Sequence, residues 1–85
     1  MKTVNWSVEK ANKIKVERGI DFNKIALMIE EKELLGVVRV PSREEQMIFV
    51  LDYEDYIVCV PFSETEHEIF LKTAYKNRKL NKTMR

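Results

Sequence analysis

Residues Met47-Ile-Phe-Val-Leu-Asp-Tyr53 and Tyr56-Ile-Val-Cys-Val-Pro-Phe62 flank the pair Glu54-Asp55. Both arms are rich in β-branched and aromatic side chains, which suit a pleated surface. The two acids between them are polar turn residues. The pattern predicts a β-hairpin with antiparallel arms. By periodicity a continuous apolar run fits a buried helix as well, but each arm is too short for one and acids interrupt the pair. Apolar residues occupy odd and even positions alike, so both faces of the hairpin require cover.

Working outward, Pro61 cannot donate to a ladder, which predicts an edge or a bulge near the end of the second arm. Ser63 to His67 reads as a polar turn into a last strand, Glu68 to about Tyr75. Asn77 is placed to cap a short basic helix, with Leu80 and Met84 docking it at i and i+4. Upstream, Leu34 to Val40 reads as a first strand, broken by Pro41-Ser42. Ser42 and Glu45 have capping-box spacing. No helical period follows them, so a loop carrying Arg43, Glu44 and Glu45 is expected.

Two helices precede that strand. Asp21 caps one from Phe22 to about Lys32, where Phe22, Ile25, Ala26 and Ile29 fall at i, i+3, i+4 and i+7. Leu27 and Met28 widen the stripe, and Glu30, Glu31 and Glu33 oppose the helix dipole at its end. Ser7 caps the other, Val8 to about Glu17, with a thin stripe of Val8, Ala11 and Ile14 and a stop at Arg18-Gly19. Trp6, just before it, should pack back onto the core. The expected fold is one α+β domain over residues 1–85. Two N-terminal helices cover one face of a four-stranded antiparallel meander, and a short basic C-terminal helix lies beside the partly open opposite face.

At 85 residues the chain supports one modest core, and its ordinary apolar fraction argues against disorder throughout. The single cysteine, Cys59, permits no internal disulfide and reads as a small buried hydrophobe. With no signal-peptide core and no run approaching a membrane span, a soluble protein of the reducing cytosol is expected. Charge is segregated. From Glu44 to Glu68 every formal charge is negative, and from Ile69 onward every charge is positive: Lys72, Lys76, Arg78, Lys79, Lys82 and Arg85. Such a tail suits nucleic-acid phosphates, the alternatives being a solvated face or a tail laid against the acidic segment.

His67 lies in a polar turn and reads as a surface residue; with only Gly19 and Gly36 no glycine-rich phosphate loop can form. No metal or cofactor is expected. Any chemistry would use Lys, Arg, Glu and Tyr on an open surface, a set suited to RNA cleavage. There the 2′-hydroxyl supplies the nucleophile, and the protein positions it, moves a proton and stabilises phosphorane charge.

Trp6, Lys10, Gly19, Ile20 and Phe22, the Glu44-Glu45 pair, the hairpin, and Ile69-Phe70-Leu71-Lys72-Thr73 followed by Arg78-Lys79 together resemble the BrnT-type ribonuclease toxins of bacterial toxin–antitoxin modules, within the RelE-like group. The likeness runs over nearly the whole chain. Arg18 stands where that family has a histidine, and Gln46 where it has an arginine. The resemblance implies phosphate binding and transition-state charge stabilisation by Lys72, Arg78 and Lys79, joined by Arg43, with Glu45 or Glu44 as proton acceptor. It further implies RNA contacts by Tyr75, Lys76, Lys82, Lys10 and Arg18. The structural alternatives are a half-buried strand residue for Tyr75, a solvated strand lysine for Lys72 and a plain loop for Glu44 and Glu45.

The function so implied is a metal-independent endoribonuclease toxin of the cytoplasm. It would act on mRNA, with or without the ribosome, be silenced by an antitoxin, and meet operator DNA indirectly through that antitoxin. The alternatives are a non-catalytic module that binds RNA, DNA or an acidic protein through the same basic segment, and a small structural partner.

Overall fold

The hairpin forms, and its two-sided apolar character organises the molecule. The computed structural model describes residues 2–40 and 46–84, with Val40 and Met84 described by backbone alone. The elements in order are β1 (Thr3–Trp6), α1 (Val8–Arg18), α2 (Phe22–Glu30), β2 (Gly36–Val40), β3 (Gln46–Tyr53), β4 (Tyr56–Glu64), β5 (Glu68–Leu71), β6 (Tyr75–Lys76) and α3 (Arg78–Met84). The expected loop residues Arg43, Glu44 and Glu45 lie outside the described residues.

Strands β3 and β4 pair antiparallel from Met47↔Phe62 to Tyr53↔Tyr56, closing on Glu54 and Asp55 at φ 50° and 67°. A two-residue hairpin turn with positive φ at both positions matches the strand twist. It is made here without the asparagine or glycine that adopts this backbone most readily. Lys24 steadies it, with its Nζ 3.2 Å from a Glu54 carboxylate oxygen and 4.8 Å from the Tyr53 ring centroid.

Alternation along β3 and β4 divides the apolar side chains between two faces. Phe49, Leu51, Tyr53, Val58, Val60 and Phe62 meet Ile14 of α1, Ile20, and Phe22 and Ile25 of α2 in the main core. Phe49 and Phe62 stack with centroids 3.8 Å apart, and Trp6 meets Phe22 edge-on at 5.9 Å, anchoring the chain entry as expected. On the other face Val50, Ile57 and Cys59 form a smaller cluster with Ile48, Tyr75 and Leu80 of α3.

Helix ends follow the local chemistry. The Ser7 hydroxyl accepts the Lys10 N–H, and Gly19 closes α1 at φ 67°. Asp21 accepts the Asn23 N–H at 2.9 Å, while its own N–H donates to the Tyr53 hydroxyl at 3.0 Å, tying α2 to the hairpin. Helix α2 stops at Glu30, earlier than expected. Lys32 takes φ 58°, and N–H bonds from Lys32 to the Ile29 carbonyl and from Glu33 to the Met28 carbonyl make a Schellman closure. Two expected core positions are exposed instead: Val8 at 69% and Leu27 at 53%. Neither thin stripe needs them, because Ile14, Phe22 and Ile25 already fill the contact with the sheet.

The sheet is a correction to the four-stranded antiparallel meander. It is a mixed six-stranded sheet in the order β1-β5-β4-β3-β2, with β6 also on β4. Strand β1 runs parallel to β5, from Thr3↔Glu68 to Trp6↔Leu71, clamped by the Lys2–Glu64 ion pair and by Asn5 Nδ2 donating to Glu68 at 2.7 Å. The expected last strand is two. Between Phe62↔Leu71 and Cys59↔Tyr75, two residues of β4 oppose three, Lys72 to Ala74, which is a bulge. Pro61 sits opposite it. Its carbonyl accepts the Lys72 N–H at 2.9 Å, so its missing N–H faces the interrupted ladder. A proline is thereby accommodated in a central strand.

Three outcomes are expected. Replacing Glu54 with Asn and Asp55 with Gly should raise unfolding stability by about 1 kcal/mol, measured by urea denaturation, because left-handed backbone costs other L-residues about that much. The Asn23 N–H holds the Asp21 carboxyl below the ordinary aspartate value of 3.8. A pKa lowered in the folded state contributes stability at neutral pH that is lost as the pH falls through the folded value. Asp21→Asn should therefore flatten the acid limb of the stability profile below about pH 4. Asp21→Ala should in addition lower neutral stability by about 1 kcal/mol.

Candidate nucleic-acid interface

The bulge, β6 and α3 carry most of the residues singled out for RNA. Lys72 follows the buried Leu71, so strand alternation assigns it to the α3 face, on which Pro61 and Ile48 lie. Tyr75, paired with Cys59, lies on that same face, half-buried, as its structural alternative anticipated. Lys76 lies on the other face, its Nζ 5.6 Å from the Tyr56 ring centroid. Arg78, Lys79 and Lys82 are exposed on α3.

Local hydrogen bonds fix α3 against the sheet. The Asn77 side-chain oxygen accepts the Leu80 N–H at 2.9 Å, the expected cap. Asn77 N–H donates to the Ile57 carbonyl at 2.9 Å, and the Asn81 side-chain oxygen accepts the Ile57 N–H at 3.1 Å. Both main-chain groups of one β4 residue are therefore bound by the tail. Leu80 docks beneath, as expected; the Met84 side chain is outside the described residues.

Beside α3 lies a cavity of about 400 Å3, floored by Val38, Ile48, Val50 and Cys59 and walled by Tyr75, Asn77, Lys79 and Leu80. Burial pushes the Cys59 thiol up from its usual pKa, opposed by hydrogen bonds from Asn77 (Nδ2 to Sγ 3.6 Å) and Tyr75. Burial, then the neighbouring Cys59, raises the Tyr75 phenol. Both groups are thus neutral at physiological pH. The thiol serves as a hydrophobe with weak polar contacts, as read from the sequence.

Arg18 has a different part from the one expected. Its Nη1 donates to the Ala74 carbonyl at 2.7 Å and lies 3.5 Å from the Thr73 hydroxyl, bracing the bulge from the end of α1. Lys10 is eight residues earlier on α1, about 12 Å along the axis at 1.5 Å per residue, beside Ser7, Glu9 and Lys13. It does not join the Arg18 contact. Arg43 and Glu45, with Glu44, lie outside the described residues.

The tail is not held by the acidic segment through any ion pair between described residues. Those ion pairs are Lys2–Glu64, Lys15–Asp21 and Lys24–Glu54, all using N-terminal lysines. Among the described residues no cluster of three metal-ligating side chains forms, and no helix is long and apolar enough to cross a membrane. Sequence reasoning missed the Arg18–Ala74 brace and the Cys59–Tyr75–Asn77 contacts. Nothing local signals either, since each joins segments far apart in the chain. Removing the brace leaves the carbonyl of a buried residue without its partner. Arg18→Ala should therefore cost about 1–2 kcal/mol and speed amide exchange selectively over residues 72–76, measured by hydrogen-exchange mass spectrometry.

Comparison with protein-family models, with curated proteins and with solved structures found no match to this chain.

Proposed function

We propose that the chain is the toxin of a bacterial type II toxin–antitoxin pair, a cytoplasmic endoribonuclease that stops translation until a cognate antitoxin covers it. The observation that carries this reading is the arrangement around α3. Tyr75 and Lys79 line a partly apolar cavity, strand phase from Leu71 sets Lys72 on the same sheet face, and Arg78 and Lys82 are exposed on the same helix as Lys79. Cations grip phosphate, and an aromatic edge over an apolar floor accepts an unstacked base, the combination that single-stranded RNA requires. The sequence resemblance points the same way.

In this reading the RNA 2′-hydroxyl gives its proton to an acceptor and attacks the adjacent phosphate. The P–O5′ bond breaks as the 5′-oxygen takes that proton back, leaving a 2′,3′-cyclic phosphate. Lys72, Arg78 and Lys79 neutralise the equatorial oxygens as charge builds. No metal is required. The resemblance makes Glu45 or Glu44, just before β3 in the sequence, the proton acceptor; no described carboxylate or histidine lines the cavity. That same lining favours the second reading, a non-catalytic RNA-binding module.

Expression of the chain alone should arrest growth, and purified protein should cut single-stranded RNA to fragments ending in cyclic phosphate. Tight, salt-sensitive binding with intact RNA would select the binding module instead. Combined Lys72→Ala, Arg78→Ala and Lys79→Ala substitution should abolish arrest while leaving the circular dichroism spectrum unchanged. It should also reduce the log–log salt slope of RNA binding by about 2, at roughly 0.7 per phosphate contact for a single strand. An unfolded triple variant would make these residues structural.

A further inference from the structure

Among the described residues, nothing pairs with the end of the sheet opposite β1. Strand β2 is outermost and, among the described strands, pairs with β3 alone. Leu35, Val37 and Val38 are about half exposed there, at 51, 51 and 47%. Val37 and Val38 point to opposite faces, so apolar surface wraps the free edge. Sheets ordinarily guard such an edge with charge, proline or a covering element. Within Gly36–Val40 the one charge is Arg39. At Gly36 a Cβ would meet nothing within 4 Å, so the backbone there is open to approach.

Two cavities flank this edge, of about 400 and 200 Å3, and share Val38, Val50 and Leu80. Their one charged lining residue is Lys79, with Lys82 three residues further on α3, and no described carboxylate lines either. The surface is therefore a line of strand groups that no described residue pairs, an apolar trough beside it, and cationic side chains around it.

We propose that the β2 edge is a docking site for an extended acidic segment of a partner protein, which adds as an outer strand. Its main chain bonds to β2 and its apolar side chains enter the trough over Val38. Its carboxylates, on the opposite face of the added strand, meet Arg39, which shares the Val37 face, while Lys79 and Lys82 attract the acidic segment over a longer range. A second copy of this chain fits less well. Paired by the same edge it would set cations against cations and bring no carboxylate from β2. RNA would satisfy Lys79 but not the strand groups of β2 or the half-exposed Leu35 and Val37. The site shares Lys79 and the floor of Val38, Val50 and Leu80 with the cavity proposed for RNA, but Leu35, Gly36 and Val37 lie outside that cavity, and the proposal stands without the nuclease reading.

The test is fluorescence anisotropy on the intact chain with labelled, end-blocked peptides alternating valine with glutamate, alternating valine with lysine, and valine–glutamate with a central proline. The glutamate peptide should bind at least about tenfold tighter than either control, and Val38→Glu should weaken it by about tenfold, the size of one lost apolar contact plus a like-charge encounter. Val37→Glu, on the opposite face of the strand, repeats the measurement should Val38→Glu disturb folding. No binding of the glutamate peptide, equal binding of the lysine peptide, or indifference to both substitutions overturns the proposal. So does a concentration-dependent dimer, by sedimentation, that Val38→Glu dissociates. Single-stranded RNA binding should be unchanged in Val37→Glu, because Val37 does not line the cavity proposed for RNA. If RNA affinity falls there and peptide affinity does not, the edge belongs to RNA and the docking proposal is wrong, whereas loss of peptide binding alone leaves the nuclease reading untouched.

Discussion

A hairpin that is apolar on both faces cannot be satisfied by one layer of helices. Strand β4 makes this plain: from Ile57 to Phe62 every residue is buried. One face is taken by α1 and α2 through Ile14, Phe22 and Ile25, the other by α3 through Leu80. The unequal size of the two covers has a consequence. Seven residues of α3 span about 10 Å at 1.5 Å each, too little to cover the sheet to its β2 edge. The second face is therefore part core and part cavity, and that division creates the surfaces proposed for RNA and for a partner strand.

The bulge from Lys72 to Ala74 is the second controlling feature. It lets the returning chain pair with both ends of β4 while passing Pro61, which offers no N–H. It also shifts the side-chain phase by one, so that Leu71 and Ala74 both enter the main core while Lys72 and Tyr75 belong to the opposite face. Without the extra residue, strict alternation would set Ala74 and Tyr75 on each other's faces. Arg18 reaching to Ala74 from the end of α1 secures this irregular backbone from the helix side.

Electrostatics follow from the same geometry. Glu54 and Glu64, at the two ends of β4, pair with Lys24 and Lys2 from the N-terminal half. The cations of the tail are not used in this way among the described residues, and remain exposed around α3. Surface pairs of this kind contribute little to stability, so the charge segregation along the chain matters for what the surface attracts and much less for what holds the fold.

Much of the local structure was legible in the residues. The hairpin and its turn, the caps Ser7, Asp21 and Asn77, the Gly19 stop and the buried Cys59 each depend on a few consecutive side chains or on a period of two or 3.6. Strand β1 was not legible: its four residues pair with β5, more than sixty positions away. The split of the last strand and the Arg18 brace were equally hidden, because each depends on where a distant proline or carbonyl comes to lie. Of the RNA candidates, composition alone identified a basic tail. Only the tertiary structure decided that Tyr75 and Lys79 line one cavity, that Lys76 lies on the other face, and that Arg18 is committed to the backbone. Short-range chemistry determines which segments become helix or strand; side-chain phase across a bulge, and pairing between chain ends, are settled only when the sheet closes.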